Sequence, residues 1–80
     1  MSQRCVTLVL HAHLARYRGG QRRVDLPYRA GATVADYARD LGIPPHDYYA
    51  MVRAGQPSKD LGVVPDEGEV IELLPAMSGG

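Results

Sequence analysis

The sequence predicts a small α+β domain in which one amphipathic helix packs on one face of a mixed, four- to five-stranded sheet. Three observations predict it. Runs of strand-forming residues that alternate between two faces lie near both ends of the chain, at 5–10 and 69–74. Between them only one stretch carries apolar residues at helical spacing, Val34, Tyr37, Ala38 and Leu41. The length of 80 residues allows one modest core. A core of that size leaves about 3–5 kcal/mol of net stability and no room for an enclosed active site.

In the first strand, Val6, Leu8 and Leu10 share one face and Thr7, Val9 and His11 the other. The second strand of a hairpin follows the Arg18-Gly19-Gly20-Gln21 turn, with Arg22, Val24 and Leu26 alternating against Arg23 and Asp25 up to Pro27. Residues 28–32 read as a loop. Thr33 stands as a helix N-cap with Asp36 three residues on, a carboxylate variant of the capping box, and Gly42 with Pro44-Pro45 stops the helix within three turns. Residues 48–53 form a third strand and Ala54-Gly55-Gln56-Pro57 a turn. Residues 58–61 have space for a single helical turn, and Val63-Val64 for a brief edge strand. After the Asp66-Glu67-Gly68 turn, the last strand sets Ile71 and Leu73 on one face and Val70 and Leu74 on the other, and Pro75 ends it.

Nine Lys/Arg balance nine Asp/Glu, so no net charge draws the chain to nucleic acid or to a membrane surface. Cys5 is the only cysteine, which excludes an internal disulfide and fits a reducing compartment, with cytoplasm expected. The apolar run Val6–Leu10 is too short for a signal peptide or a membrane span. No acid/base pair, nucleophile elbow or phosphate loop is present, so a carrier or binding role is expected in place of an enzyme.

Chemistry is expected beyond the last strand, in Ala76-Met77-Ser78-Gly79-Gly80. The division expected is a domain over 1–75 and a flexible Gly-Gly tail over 76–80. Six residues from Pro75 onward, at about 3.3 Å each, reach roughly 20 Å, far enough to enter another protein's site. Two glycines without Cβ atoms pass a narrow channel and adopt φ values that other residues avoid.

The stretch from Glu67-Gly68-Glu69 through Val70-Ile71-Glu72-Leu73-Leu74-Pro75 to Gly79-Gly80 resembles the ending of the ubiquitin-like β-grasp sulfur carriers, which include the small subunit of molybdopterin synthase and the thiamine sulfur carrier. Gly19-Gly20 before Arg23-Val24-Asp25-Leu26-Pro27, and Gly31-Ala32-Thr33-Val34-Ala35-Asp36, resemble the molybdopterin branch, as does the long stretch from Leu14 to Arg22. Two turns depart from the family pattern: Arg53-Ala54-Gly55 stands for its Asn-Gly and Glu67-Gly68-Glu69 for its Asp-Gly-Asp. The resemblance implies that a ubiquitin-activating-type adenylyltransferase uses ATP to adenylate the Gly80 carboxylate, and that a sulfurtransferase or cysteine desulfurase then converts it to a thiocarboxylate. No permanently bound cofactor is implied. Sulfur would pass to a pterin precursor on a large synthase subunit in molybdenum cofactor biosynthesis. The alternatives are thiazole synthesis for thiamine, or conjugation through Gly80 as a protein modifier, for which Lys59 is the sole internal lysine.

A carrier must dock. The residues expected to do so are Val9, His11, Val70, Leu74 and Met51 on the sheet face away from the helix, with Pro75, Met77, Ser78 and Gly79 along the tail. The resemblance puts a large apolar residue where His11 stands. His11 and His13 lack enough partners for a metal site, and Cys5 reads as a structural thiol. Arg16, Arg18, Arg22 and Arg23 cluster around the first hairpin, where a solvated basic turn is the commoner meaning. Tyr28, Tyr37, Tyr48 and Tyr49 read as core and strand filling.

Overall fold

The computed structural model describes residues 4–76. Five strands form one sheet: β1 (Cys5–Leu10), β2 (Arg23–Pro27), β3 (Tyr48–Arg53), β4 (Gln56–Ser58) and β5 (Val70–Pro75), in the order β2-β1-β5-β3-β4. β1 and β5 are parallel, with Leu8 against Ile71 and Leu10 against Leu73, and every other pair is antiparallel. The chain crosses from β2 at one edge to β3 beyond β5. The helix α1 (Val34–Asp40) lies on that crossing and covers one face.

α1 starts as its sequence dictates. The Thr33 Oγ1 accepts the Asp36 N–H at 3.1 Å and the Asp36 carboxylate accepts the Thr33 N–H at 2.9 Å, a complete capping box. Its buried residues Val34, Tyr37 and Ala38 meet Val6, Leu8, Leu10, Ile71 and Leu73, all without solvent exposure, and Leu14, Ile43 and Met51 close the core around them. The alternation in β1 and β5 thus has the phase expected of it.

Three segments differ from the expectation. Residues Ala12–Arg18 form a 3-10 helix where a long hairpin connection was expected. Leu14 and Ala15 anchor it in the core, and Gly19, at φ 62°, accommodates the left-handed turn that ends it. The edge strand is Gln56–Ser58, which starts inside the expected turn and runs one residue past it, not Val63-Val64. The carbonyls of Val63 and Leu61 instead accept the N–H groups of Val34 and Ala35, satisfying orphan donors of the first turn of α1, and no helical turn forms over 58–61. The β3–β4 connection is thereby reduced to Ala54-Gly55, with φ values of 51° and 78°. Two positive φ values suit a tight hairpin of the primed type, and Ala54 in that region costs about 1 kcal/mol where an Asn would cost less.

Candidate functional site

The sheet face opposite α1 is exposed, and β5 runs along its middle. Val70 is 40% exposed on it, Val9 and Leu74 are half-buried, and Glu72 stands between them in the β5 alternation. β1 carries His11 to the same place: its Nε2 lies 2.7 Å from the Glu72 Oε1, so the ring packs down on the acid. Next to β2, the Thr7 hydroxyl donates to the Asp25 carboxylate at 2.5 Å.

β3 departs from simple alternation. Tyr48 pairs with Pro75 and Ala50 with Leu74, so Tyr49 is an extra residue, a β-bulge. The bulge shifts the phase of the strand. Met51 pairs with Leu73 and is buried with it, 1% exposed, which removes Met51 from the predicted docking face and places it in the core. Tyr49 is turned out to 48% exposure. With Ala50, Leu74, Pro57, Ser58 and Lys59 it lines a groove of about 290 Å³.

The chain leaves the sheet at this groove. The Ala76 N–H donates to the Asp47 carbonyl at 2.8 Å, which fixes the last described residue against the loop before β3, where Pro45–Asp47 make a single 3-10 turn. The Asp47 carboxylate accepts a hydrogen bond from the Tyr17 hydroxyl, and Arg16 lies 3.5 Å from it, so the 3-10 helix braces the same loop. The Tyr17 hydrogen bond holds the Asp47 carboxyl below its ordinary 3.8, with smaller contributions from His46, Arg16 and His13. A lowered folded-state pKa contributes stability above pH 3.8 and loses it as pH falls through the lower folded value. Asp36, held down by the Thr33 N–H, follows the same sign. Tyr17→Phe therefore melts below the wild type at neutral pH, and the gap narrows below pH 3.8. Melting curves across pH that stay parallel would show that the Tyr17–Asp47 bond carries no such linkage.

Of the predicted site residues, Val9, His11, Val70, Leu74 and Pro75 lie at or beside this face, while Met77, Ser78, Gly79 and Gly80 lie outside the described residues. Tyr49, Ala50, Pro57 and Glu72 were not foreseen. The only sequence signals were the Tyr48-Tyr49 doublet opening a strand, and an acid between Ile71 and Leu73. Cys5 is half-buried at the opposite end of β1, across from Pro27. Among the described residues, no three His, Cys, Asp or Glu side chains are grouped to hold a metal ion, and no helix is long and apolar enough to cross a membrane.

No family model and no curated protein matches the sequence. Solved structures do match. The solution structure of the Haloferax volcanii HVO 2177 protein superposes with a TM-score of 0.71 at 19% identity, over 95% of this chain and 86% of that one. The crystal structure of SAMP1 from Haloferax volcanii superposes with a TM-score of 0.65 at 25% identity, over 95% of this chain and 99% of that one. The chain has the ubiquitin-like β-grasp fold. Within this β-grasp the central position of β5 sets the site: the strand that leads toward residues 77–80 carries Val70 and Leu74 on the open face and ends beside the Tyr49 groove.

Proposed function

We propose that this chain is a ubiquitin-like carrier protein of the cytoplasm, not an enzyme, working through the Gly80 carboxylate. The observation that carries the reading is the placement of β5, which ends at an exposed apolar face with the Gly79-Gly80 pair three and four residues beyond Ala76. The likeness to SAMP1 along nearly the whole of both chains supports it.

In this reading a ubiquitin-activating-type adenylyltransferase docks on the Val9, Val70, Leu74 and Tyr49 face and receives the tail. The Gly80 carboxylate attacks the α-phosphorus of ATP, forming an acyl-adenylate and releasing pyrophosphate. A carboxylate is a poor electrophile and AMP a good leaving group, so the persulfide of a sulfurtransferase or cysteine desulfurase now displaces it, giving an acyl disulfide. A thiol then breaks the S–S bond, leaving the thiocarboxylate on Gly80 and a disulfide on the donor. The acceptor we favour is a pterin precursor on a large molybdopterin synthase subunit. The long β1–β2 connection, which folds as a 3-10 helix against β5, supports that branch over the thiamine carriers.

Intact mass, taken before and after incubation with ATP, the host's activating enzyme and its sulfur donor, tests the proposal. Exchange of one oxygen for one sulfur, absent when Gly80 is deleted, is expected. A ladder of conjugates through Gly80 without that exchange would replace the sulfur carrier by a protein modifier. No change of mass at all would overturn both.

A further inference from the structure

Arg16, Arg18, Arg22 and Arg23 hold four of the nine Lys/Arg of the chain within eight residues. The fold places them at the end of the sheet where β5 leaves it. The Leu10 N–H donates to the Arg22 carbonyl, Arg23 pairs with Val9, and Val9 and Leu10 pair with Glu72 and Leu73, so the start of β2 is level with Glu72-Leu73, two to three residues before β5 ends. Two strand spacings separate them, roughly 10 Å. Arg16 is engaged with Asp47. Arg18, Arg22 and Arg23 are exposed and form no ion pair among the described residues.

The acids at this end already have partners, Asp47 in Tyr17 and Arg16, Glu72 in His11 and Asp25 in the Thr7 hydroxyl, and a second acidic group lies at the other end of the sheet. Asp66, Glu67 and Glu69 occupy the turn whose Gly68 N–H donates to the Cys5 carbonyl, at the far end of β1. Arg4 and Arg53 pair with those acids, Arg29 with Asp40 and Arg39 with Asp36, so the arginines without an ion pair among the described residues are Arg18, Arg22 and Arg23. Cations near a helix C-terminus are favoured by its dipole, which accounts for Arg16 and Arg18 at the end of the 3-10 helix. It leaves Arg22 and Arg23 unexplained, both beyond Gly19-Gly20 and in no ion pair among the described residues.

We propose that Arg18, Arg22 and Arg23 form a docking surface for a carboxylate-rich rim on the activating enzyme, around the opening that receives the tail; the inference rests on the carrier reading above. A partner that draws in residues 77–80 must face this end of the domain, and three guanidinium groups without acids of their own are complementary to carboxylates there. A polynucleotide fits less well. Three cations displace only about three counterions, and the acidic turn at the far end repels a polyanion running along the molecule.

The test is ATP–pyrophosphate exchange by the host's activating enzyme against the concentration of the full chain, at low and at physiological salt. For Arg18→Glu with Arg22→Glu and Arg23→Glu, the KM rises about 10- to 100-fold, kcat stays within about twofold, and the salt dependence flattens. The corresponding triple Lys variant, which keeps the charge, stays near the wild type. A triple Gln variant gives the same direction with a smaller shift should the Glu variant fail to fold, as judged by its melting curve. Wild-type KM in both the Glu and Gln variants, with the wild-type chain fully active, overturns the docking surface and leaves the carrier reading standing. The same kinetics with salt-sensitive binding of a single-stranded RNA 20-mer that the Glu variant loses overturns it in favour of nucleic acid. No exchange with the wild-type chain overturns both.

Discussion

Tyr37→Ala is expected to leave the domain without a stable native state at room temperature. Tyr37 is fully buried where α1 meets the sheet and is the largest such side chain in the core. Truncating a buried aromatic residue costs about 3–5 kcal/mol, which matches the whole net stability available to a core of this size. Its hydroxyl also has fixed partners, accepting the Arg29 N–H at 2.8 Å and donating to the Arg29 carbonyl at 3.3 Å, and so ties the loop after β2 to the helix. Tyr37→Phe separates the two contributions. It keeps the ring and the Arg29 guanidinium stacked on it at 5.5 Å, loses about 1–2 kcal/mol of hydrogen bonding, and remains folded. Urea unfolding followed by circular dichroism reads both variants. A cooperative transition in the Ala variant at nearly the wild-type midpoint would mean that the core repacks around the gap.

Tyr37 was legible because helical spacing places Val34, Tyr37, Ala38 and Leu41 on one stripe, and the Thr33–Asp36 box marks where the stripe begins. β1 and β5 were legible for the matching reason, since period-two alternation over six residues fixes both the strand and its faces. The 3-10 helix carries no such pattern. Leu14 is buried by contacts to elements distant in sequence, and no run of seven residues with one large apolar anchor announces its conformation. β4 is three residues around Pro57, and it exists because β3 offers it an edge. The site divided along the same line. Val9, Val70 and Leu74 followed from strand phase, whereas Met51 was assigned to the wrong face because one inserted residue, Tyr49, reverses every position after it. A bulge is a property of the pair of strands, and β3 alone does not encode it.

That inserted residue leads to the second large effect. Leu74→Asp is expected to lower kcat/KM for adenylation of the chain about 100-fold, equivalent to roughly 2.7 kcal/mol of docking energy, with the fold retained. Leu74 lies on the open face opposite Ala50, walls the groove with Tyr49 and is the last apolar side chain before Pro75 starts the exit. A carboxylate there would have to be desolvated against any apolar partner surface. Tyr49→Ala tests the same face without introducing charge: the ring is half-exposed, its loss costs the core little, and a drop of about tenfold is expected. Val64→Asp is the control. Val64 is 42% exposed, much as Val70 is, but lies in the loop that closes over the start of α1, away from the exit. If exposed apolar area alone governed association, Val64→Asp would be as damaging as Leu74→Asp. If the face beside the exit governs it, Val64→Asp keeps wild-type kinetics while Leu74→Asp and Tyr49→Ala lose theirs with unchanged melting temperatures. Wild-type kinetics in all three would dissociate this face from activation and leave the charged end of the domain to orient the tail.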